Sequence, residues 1–148
     1  MTNKTRDFIF KAKAAEEDEY CNIKKGQWVC GSLMYDAIED DYIIFDTTKE
    51  YIAGIKVDPK TISEFTGKRD FKQRGNGKMI FENDILLFVD NGKFYYVYVK
   101  YDDGAFRLFE NFKQKYSLEL LNEENINFLN LKVVGNIFDD KELAKEFL

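Results

Sequence analysis

Two turn signals inside a run of β-forming residues constrain the fold most. Asn91-Gly92 and Asp103-Gly104 separate three strand-like segments: an apolar one at 85–89, one rich in Val, Tyr and Phe at 94–101, and a third at 105–110. Both dipeptides favour two-residue hairpin turns, because the central residues of such turns adopt positive φ. The pattern therefore predicts an antiparallel meander, an arrangement common in small barrels, of which the SH3-like kind is one.

Other strand candidates flank this meander. A final strand is expected at 131–138, followed by a short helix that begins at Asp139 or Asp140 and turns Leu143, Phe147 and Leu148 toward the body. Residues 111–130 are ambiguous between an irregular and a partly helical connection. Earlier strands are expected at 7–13, 27–35, 42–46 and 51–57, and residues 60–65 form either a helical turn or a short strand.

We therefore expect a mainly β (α+β) protein with an antiparallel small-barrel or meander part, SH3-like in part, an N-terminal β extension and a short C-terminal helix. The length of 148 residues suits a single domain over 1–148. The alternative is a subdivision into an N-terminal β part at 1–57 and a barrel-like part at 58–148.

The absence of histidine limits the chemistry. It excludes Ser-His-Asp and Cys-His catalysis and every metal site that contains histidine. Cys21 and Cys30 are too few for a disulfide framework or a zinc site, and we expect reduced thiols. The acidic clusters at 39–41 and 139–140 lack the spacing of a calcium loop. We expect no enzyme activity, no cofactor and no metal.

The overall charge and the apolar pattern bear on partners and location. A net charge of −5 and a pI near 4.9 disfavour generic nucleic-acid binding, which usually needs a basic face. No segment approaches the roughly 18 apolar residues of a membrane span. Residues 1–15 lack the apolar core of a signal peptide. The host cytoplasm is the expected compartment, with no membrane partner.

One loop reverses this charge. Five basic residues between Gly67 and Lys78 are opposed only by Asp70, so the loop carries +4 (five minus one) and the rest of the chain −9. Such a loop could contact phosphate or an acidic partner, or it could be a flexible, solvated hairpin tip. Thr66-Gly67 and Asn76-Gly77 are predicted turns at its ends. The basic residues are Lys68, Arg69, Lys72, Arg74 and Lys78.

The strand at 94–101 is aromatic on both faces. The face with Val97 and Val99 is expected to point inward, while the face with Tyr96 and Tyr98 could cover a helix, form a contact between copies of the chain, or stack bases. Tyr96 and Tyr98 therefore join the five basic residues as candidate binding residues.

Several ordered motifs resemble one known family. Residues Val57 to Ile85 resemble the hallmark of the YopX family of phage and prophage proteins, and the segments at 10–13, 28–33 and 133–138 resemble its other conserved strands. The chain departs from that pattern at Asn83, where the family usually has glycine, and in a longer loop before Asn76-Gly77. The resemblance implies a phage or prophage origin and does not by itself imply a biochemical activity.

Several hypotheses follow. The leading one is a non-catalytic phage or prophage accessory protein that binds a partner, either a host protein, another phage protein or a second copy of itself. One alternative is a nucleic-acid-binding small β-barrel that uses the basic loop 68–78. Another is sequestration of a small anionic ligand in counter-defence. An enzyme that works through carboxylates or tyrosine is least favoured, because no pair has supporting spacing.

Overall fold

The computed structural model describes residues 7–46, 53–73, 75–112 and 119–148. The chain divides into two compact units, Met1–Phe65 and Thr66–Leu148. This border lies beyond the possible division considered at residue 57. Each unit contains antiparallel strands and has buried core residues of its own.

The sheet of the first unit is built from four short strands in the order β4-β3-β2-β1, and the start of a fifth strand pairs with β1. Beyond β1, Ala14 forms a single bridge to Val57 at the outer edge of β4. The sheet therefore curls around an apolar core that includes Ala12, Val29 and Ile44. The strands are β1 (Phe10–Lys13), β2 (Trp28–Asp36), β3 (Asp41–Phe45), β4 (Gly54–Val57) and β5 (Ser63–Arg69).

The segment predicted as either a helical turn or a strand contains both. A 3-10 turn at Pro59–Thr61 precedes β5. Asp58 begins the turn, and its Oδ1 accepts a hydrogen bond from the Lys60 N–H at 3.0 Å. The Thr61 hydroxyl accepts the Lys13 N–H at 2.9 Å, which ties the turn to β1. The first unit therefore satisfies the backbone at the end of β1 with a side chain from the turn.

The second unit contains the predicted meander. Asn91 and Gly92 have φ of 50° and 76°, and Asp103 and Gly104 have φ of 48° and 77°. Paired positive φ values are typical of type I′ hairpin turns, so both turn predictions are confirmed. The sheet order is β10-β9-β8-β7-β11, and β6 (Met79–Phe81) pairs with the end of β5. These strands are β7 (Asp84–Asp90), β8 (Lys93–Asp102), β9 (Ala105–Phe109), β10 (Glu119–Leu120) and β11 (Lys132–Asn136).

Both faces of this sheet are covered. Val97 and Val99 lie in one cluster with residues such as Leu131, so the prediction that this face points inward is confirmed. Tyr98, on the opposite face, is only 4% exposed and packs edge-on against the Phe147 ring, with 5.1 Å between centroids. The C-terminal segment therefore covers the second face, and Tyr98 is a core residue.

Two short helices complete the second unit. In α1 (Glu123–Leu129), the Asn122 side chain accepts the Asn125 N–H at 2.8 Å. In α2 (Lys141–Ala144), Asp140 precedes the first turn but does not cap it, because its carboxylate accepts the Asn136 N–H instead. Within the described residues, no helix has the length and apolar character needed to cross a membrane.

The expected packing of the C-terminal helix holds only in part. Phe147 is fully buried and Leu143 is half-buried, whereas Leu148 is 79% exposed. Phe147 packs against Tyr98 in the core, and the next residue along the chain points to solvent. The prediction that Leu148 faces the body is wrong.

The predicted class of a mainly antiparallel β protein with a short C-terminal helix is confirmed. The barrel part of that prediction is wrong, since neither sheet closes into a barrel in the parts of the chain that the structure describes. In the described part of the first unit, the two ends meet at an isolated bridge between Ala14 and Val57 and not along a pair of strands. In the second, β10 and β11 remain separate edges of an open sheet.

Candidate anion-binding pocket

Asp70 closes the loop between β5 and β6. Its N–H donates to the Lys78 carbonyl oxygen at 2.8 Å, and its Oδ1 accepts the Lys78 N–H at 2.7 Å. Its Oδ2 accepts the Val133 N–H of β11 at 3.0 Å. One carboxylate therefore holds both the base of the loop and the edge of the five-stranded sheet.

Gly77 fits against Asp70 because it has no side chain. A Cβ at this position would collide with the Asp70 carbonyl oxygen and carboxylate. The Arg69 guanidinium donates to the Gly77 carbonyl oxygen at 3.1 Å. The left-handed glycine of the loop is Gly75, with φ of 77°. The predicted Asn76-Gly77 turn is thus a place of close backbone approach rather than a left-handed turn.

The other predicted turn, Thr66-Gly67, is also different in the structure. Gly67 has φ of 80° but lies inside β5, where one left-handed glycine is typical of a β-bulge. The Thr66 hydroxyl donates to the Ile80 carbonyl oxygen at 2.7 Å and accepts the Lys68 N–H at 3.2 Å. The prediction of a turn here is wrong, and the loop begins later, at Asp70.

Phe71 forms an apolar wall next to Asp70. Its N–H donates to the Leu131 carbonyl oxygen at 2.8 Å, and its half-buried ring packs against the core cluster that contains Leu131. The Lys132 Nζ lies over this ring, 5.8 Å from its centroid. A cation held over an aromatic face is attracted to it, so Phe71 helps to position the Lys132 ammonium group.

These groups surround a pocket of about 320 Å³ in the second unit. Three lysines and one carboxylate line it, which gives a local formal charge of +2 (three minus one). The lysine side chains are exposed, whereas both oxygens of the carboxylate accept backbone N–H groups. The pocket can therefore offer mobile ammonium groups to an anion. The lining residues are Asp70, Phe71, Lys72, Asn76, Gly77, Lys78, Lys132 and Val133.

The candidate binding residues do not all lie together. Lys72 and Lys78 line the pocket, but Lys68 is half-buried in β5 and Arg69 contacts the Gly77 carbonyl oxygen. Arg74 lies outside the described residues. Tyr96 is half-buried and Tyr98 buried, both in the cluster around Phe147, so neither tyrosine contributes to this pocket.

Lys132 and Phe71 were not recognised from sequence. Lys132 comes from β11, far along the chain from the basic loop, and lies at the pocket because Asp70 binds one of its neighbours, Val133, and Phe71 binds the other, Leu131. No local sequence pattern predicts a contact between segments so far apart in the chain. The one available signal was Asp70 itself, a single acidic residue within a basic loop.

The residues of the family hallmark mostly have structural roles. Asp84 is 2% exposed, and its Oδ2 accepts the Phe81 N–H at 2.8 Å. Asn83 takes the left-handed conformation, with φ of 71°. Ile62 of this segment is half-buried, and its buried residues include Val57, Phe65, Phe81 and Ile85.

Elsewhere in the described residues, titratable groups make contacts such as the ion pair between Lys56 and Asp41, at 3.2 Å. No three cysteine, aspartate or glutamate side chains are placed to hold a metal ion in these parts of the chain. Cys21 is buried, and it does not form a disulfide with Cys30. Burial raises the pKa of the Cys30 thiol, and the nearby Asp46 carboxylate raises it further. A raised pKa makes Cys30 a weak nucleophile at neutral pH.

The sequence comparison identifies the family. The model of a family described as YopX protein matches residues 9–145, nearly the whole chain, so the protein belongs to this family. No curated protein and no solved structure matches the chain significantly.

Proposed function

We propose that this member of the YopX family is a phage or prophage accessory protein that acts in the host cytoplasm by binding a partner protein, without catalysis. The pocket around Asp70 is where an acidic group of the partner docks. The convergence of Lys72, Lys78 and Lys132 on one concave surface is the observation that carries this proposal.

The electrostatics of the pocket support a contact with an anion. Among the described residues, no carboxylate lies within 4.0 Å of the ammonium groups of Lys72, Lys78 or Lys132. These charges are therefore not neutralised by close ion pairs in that part of the chain. A concentrated positive surface on a protein of net charge −5 attracts acidic groups locally and gives a binding rate that depends on salt.

The proposal is tested by comparative affinity capture from host-cell lysate, read by quantitative mass spectrometry. The bait proteins are the wild type, a pocket variant with Lys72→Gln, Lys78→Gln and Lys132→Gln, and a charge-matched control. The control carries three substitutions at exposed lysines of the first unit, Lys24→Gln, Lys25→Gln and Lys60→Gln.

One result supports the proposal: a protein captured by the wild type and the control, lost with the pocket variant, and released as salt is raised. Capture of the same proteins by all three baits would contradict the assignment of the pocket. Repeated capture of nothing, together with a strictly monomeric mass, would contradict partner binding itself.

Nucleic acid is the second candidate partner, because the same three lysines could contact phosphates. Two observations weaken it. Tyr98 is buried in the core, and the Phe71 ring packs against a core cluster and has Lys132 over it, so the pocket offers little open aromatic surface for bases. Measurable binding of single- or double-stranded DNA or RNA at low salt, lost in the pocket variant, would favour this candidate over a protein partner.

A further inference from the structure

The pocket is better matched to one doubly charged group than to a row of separate carboxylates. Its lysines come from three places, the loop at Lys72, the residue before β6 at Lys78 and the strand β11 at Lys132. They surround a single space with a local charge of +2. A carboxylate carries one negative charge, whereas a phosphate monoester carries between −1.5 and −2 near neutral pH.

We propose that the anion bound in this pocket is a phosphate monoester. The inference rests on the proposed function, because it names the chemistry of the group that the same pocket accepts. Lysine binds phosphate as a mobile point charge, and exposed ammonium groups on three separate segments can approach the phosphate oxygens from different sides.

The volume of the pocket and the position of the Phe71 ring limit the chemical group to which the phosphate can be attached. About 320 Å³ is at the lower end of the range for small-molecule pockets, so the bound portion is a phosphate and a short attached group. Lys132 lies over the Phe71 ring, which leaves the aromatic face poorly placed to stack on a base. A phosphorylated side chain or a small sugar phosphate therefore fits better than recognition of a nucleobase.

Asp70 stabilises the backbone of the pocket, and its oxygens do not occupy the lysine ammonium groups that would bind the phosphate. Both of its carboxylate oxygens accept backbone N–H groups, from Lys78 and from Val133. The backbones that carry Lys78 and Lys132 are therefore held near each other before a ligand arrives. Preorganisation of this kind lowers the entropic cost of binding.

The test compares two short peptides that are otherwise uncharged and differ only in phosphoserine or glutamate at the centre. Binding to the full chain is measured at low salt by chemical shifts of backbone amides, with Gly77, Lys78 and Val133 as reporters in the pocket. We expect the phosphoserine peptide to bind at least fivefold more tightly. Lys78→Gln and Lys132→Gln should each weaken it at least threefold, and the exposed control Lys24→Gln should not.

A change of pH provides a second readout. The second phosphate pKa is near 6, so the dianion falls about fourfold in population between pH 7.5 and 5.5, while a glutamate side chain stays largely ionised. The affinity of the phosphoserine peptide should fall by up to that factor, and that of the glutamate peptide should change little. Equal affinities at pH 7.5 would overturn the phosphate assignment and leave the proposed acidic contact intact.

Ribose 5-phosphate separates the two sources of the phosphate. If it binds as tightly as the phosphoserine peptide, the pocket accepts small phosphate esters; if the peptide binds more tightly, the phosphate belongs to a partner protein. Both results support the inference. Absence of amide shifts with all three probes at millimolar concentration would overturn it, while the lysate comparison would still decide separately whether the pocket binds an acidic protein.

Discussion

Asp70 Oδ2 accepts the Val133 N–H at 3.0 Å although the two residues are 63 positions apart in the sequence. The other oxygen of the same carboxylate accepts the Lys78 N–H at 2.7 Å. The aspartate thus connects the basic loop to the edge strand β11, and it brings Lys132 to the pocket that contains Lys72 and Lys78. Its role is structural, but the pocket depends on it.

Removing this carboxylate should destabilise the second unit. Asp70→Ala leaves the N–H groups of Lys78 and Val133 without their acceptor, and a hydrogen bond to a charged group is worth about 1.5–3 kcal/mol. We expect the free energy of unfolding, measured by urea denaturation, to fall by about 2 kcal/mol after allowance for partial rehydration.

The matched control is Asp90→Ala, at an exposed position near the β7–β8 turn. Surface substitutions of this kind usually change stability by less than about 0.5 kcal/mol. An equal effect of the two substitutions would show that the Asp70 hydrogen bonds contribute nothing specific.

Sequence signals predicted the structure correctly where it depends on adjacent residues, as in the two hairpin turns. Asn91-Gly92 and Asp103-Gly104 predicted the meander because a two-residue hairpin needs two adjacent residues with positive φ. The same reasoning failed at Thr66-Gly67, because a glycine at φ of 80° serves a β-bulge as well as a turn. A glycine in the sequence shows where positive φ is allowed, but the pairing of β5 with β6 determines whether that residue forms a bulge or a turn.

The pocket could be predicted only in part. The basic loop was visible in the sequence as a cluster of charges, and two of its lysines, Lys72 and Lys78, line the pocket. Lys132 was not, because its proximity depends on a hydrogen bond between distant segments. Barrel closure was wrongly expected for a related reason, since it depends on how edge strands meet rather than on the propensity of any one strand.

The left-handed conformation of Asn83 predicts a contrast between two substitutions. Its backbone N–H donates to the Val99 carbonyl oxygen at 2.8 Å, and its carbonyl oxygen accepts the Ile137 N–H at 3.1 Å, so φ of 71° is required by the fold. Asn83→Gly should be nearly neutral, and Asn83→Val should lower stability by about 1–2 kcal/mol.

Thermal unfolding of both variants checks this contrast. Asn127→Val, at an exposed position of α1, serves as the control because asparagine and valine have similar helix propensities. If Asn83→Val unfolded at the same temperature as this control, the left-handed residue would not be the constraint inferred here.

Phe147 should be the main contribution of the C-terminus to stability. It is fully buried, and its ring lies 5.1 Å from that of Tyr98 and 5.6 Å from that of Phe112. Phe147→Ala should cost about 3–5 kcal/mol, a value typical of a large buried aromatic residue. The adjacent Leu148 is 79% exposed, so Leu148→Ala is a control that should leave the urea midpoint unchanged. Comparable midpoints for the two variants would contradict the burial of Phe147.

Tyr98 predicts how stability changes at alkaline pH. Burial raises the pKa of its hydroxyl above the ordinary value near 10, so the folded chain keeps the neutral form while the unfolded chain ionises. The contribution of Tyr98 is therefore complete below about pH 10 and is lost as the pH rises toward the folded-state pKa. Phenylalanine cannot ionise, so Tyr98→Phe removes this loss of stability and should move the alkaline unfolding midpoint to higher pH.

At neutral pH the same substitution should change little, because the Tyr98 hydroxyl lies 3.5 Å from the Asn111 carbonyl oxygen, at the limit of a hydrogen bond. Tyr20→Phe is the control, since it makes the same chemical change away from the core, at a residue that is 86% exposed. The measurement is circular dichroism during titration from pH 8 to pH 12. Identical alkaline midpoints for the wild type and Tyr98→Phe would contradict the prediction that ionisation of Tyr98 drives alkaline unfolding.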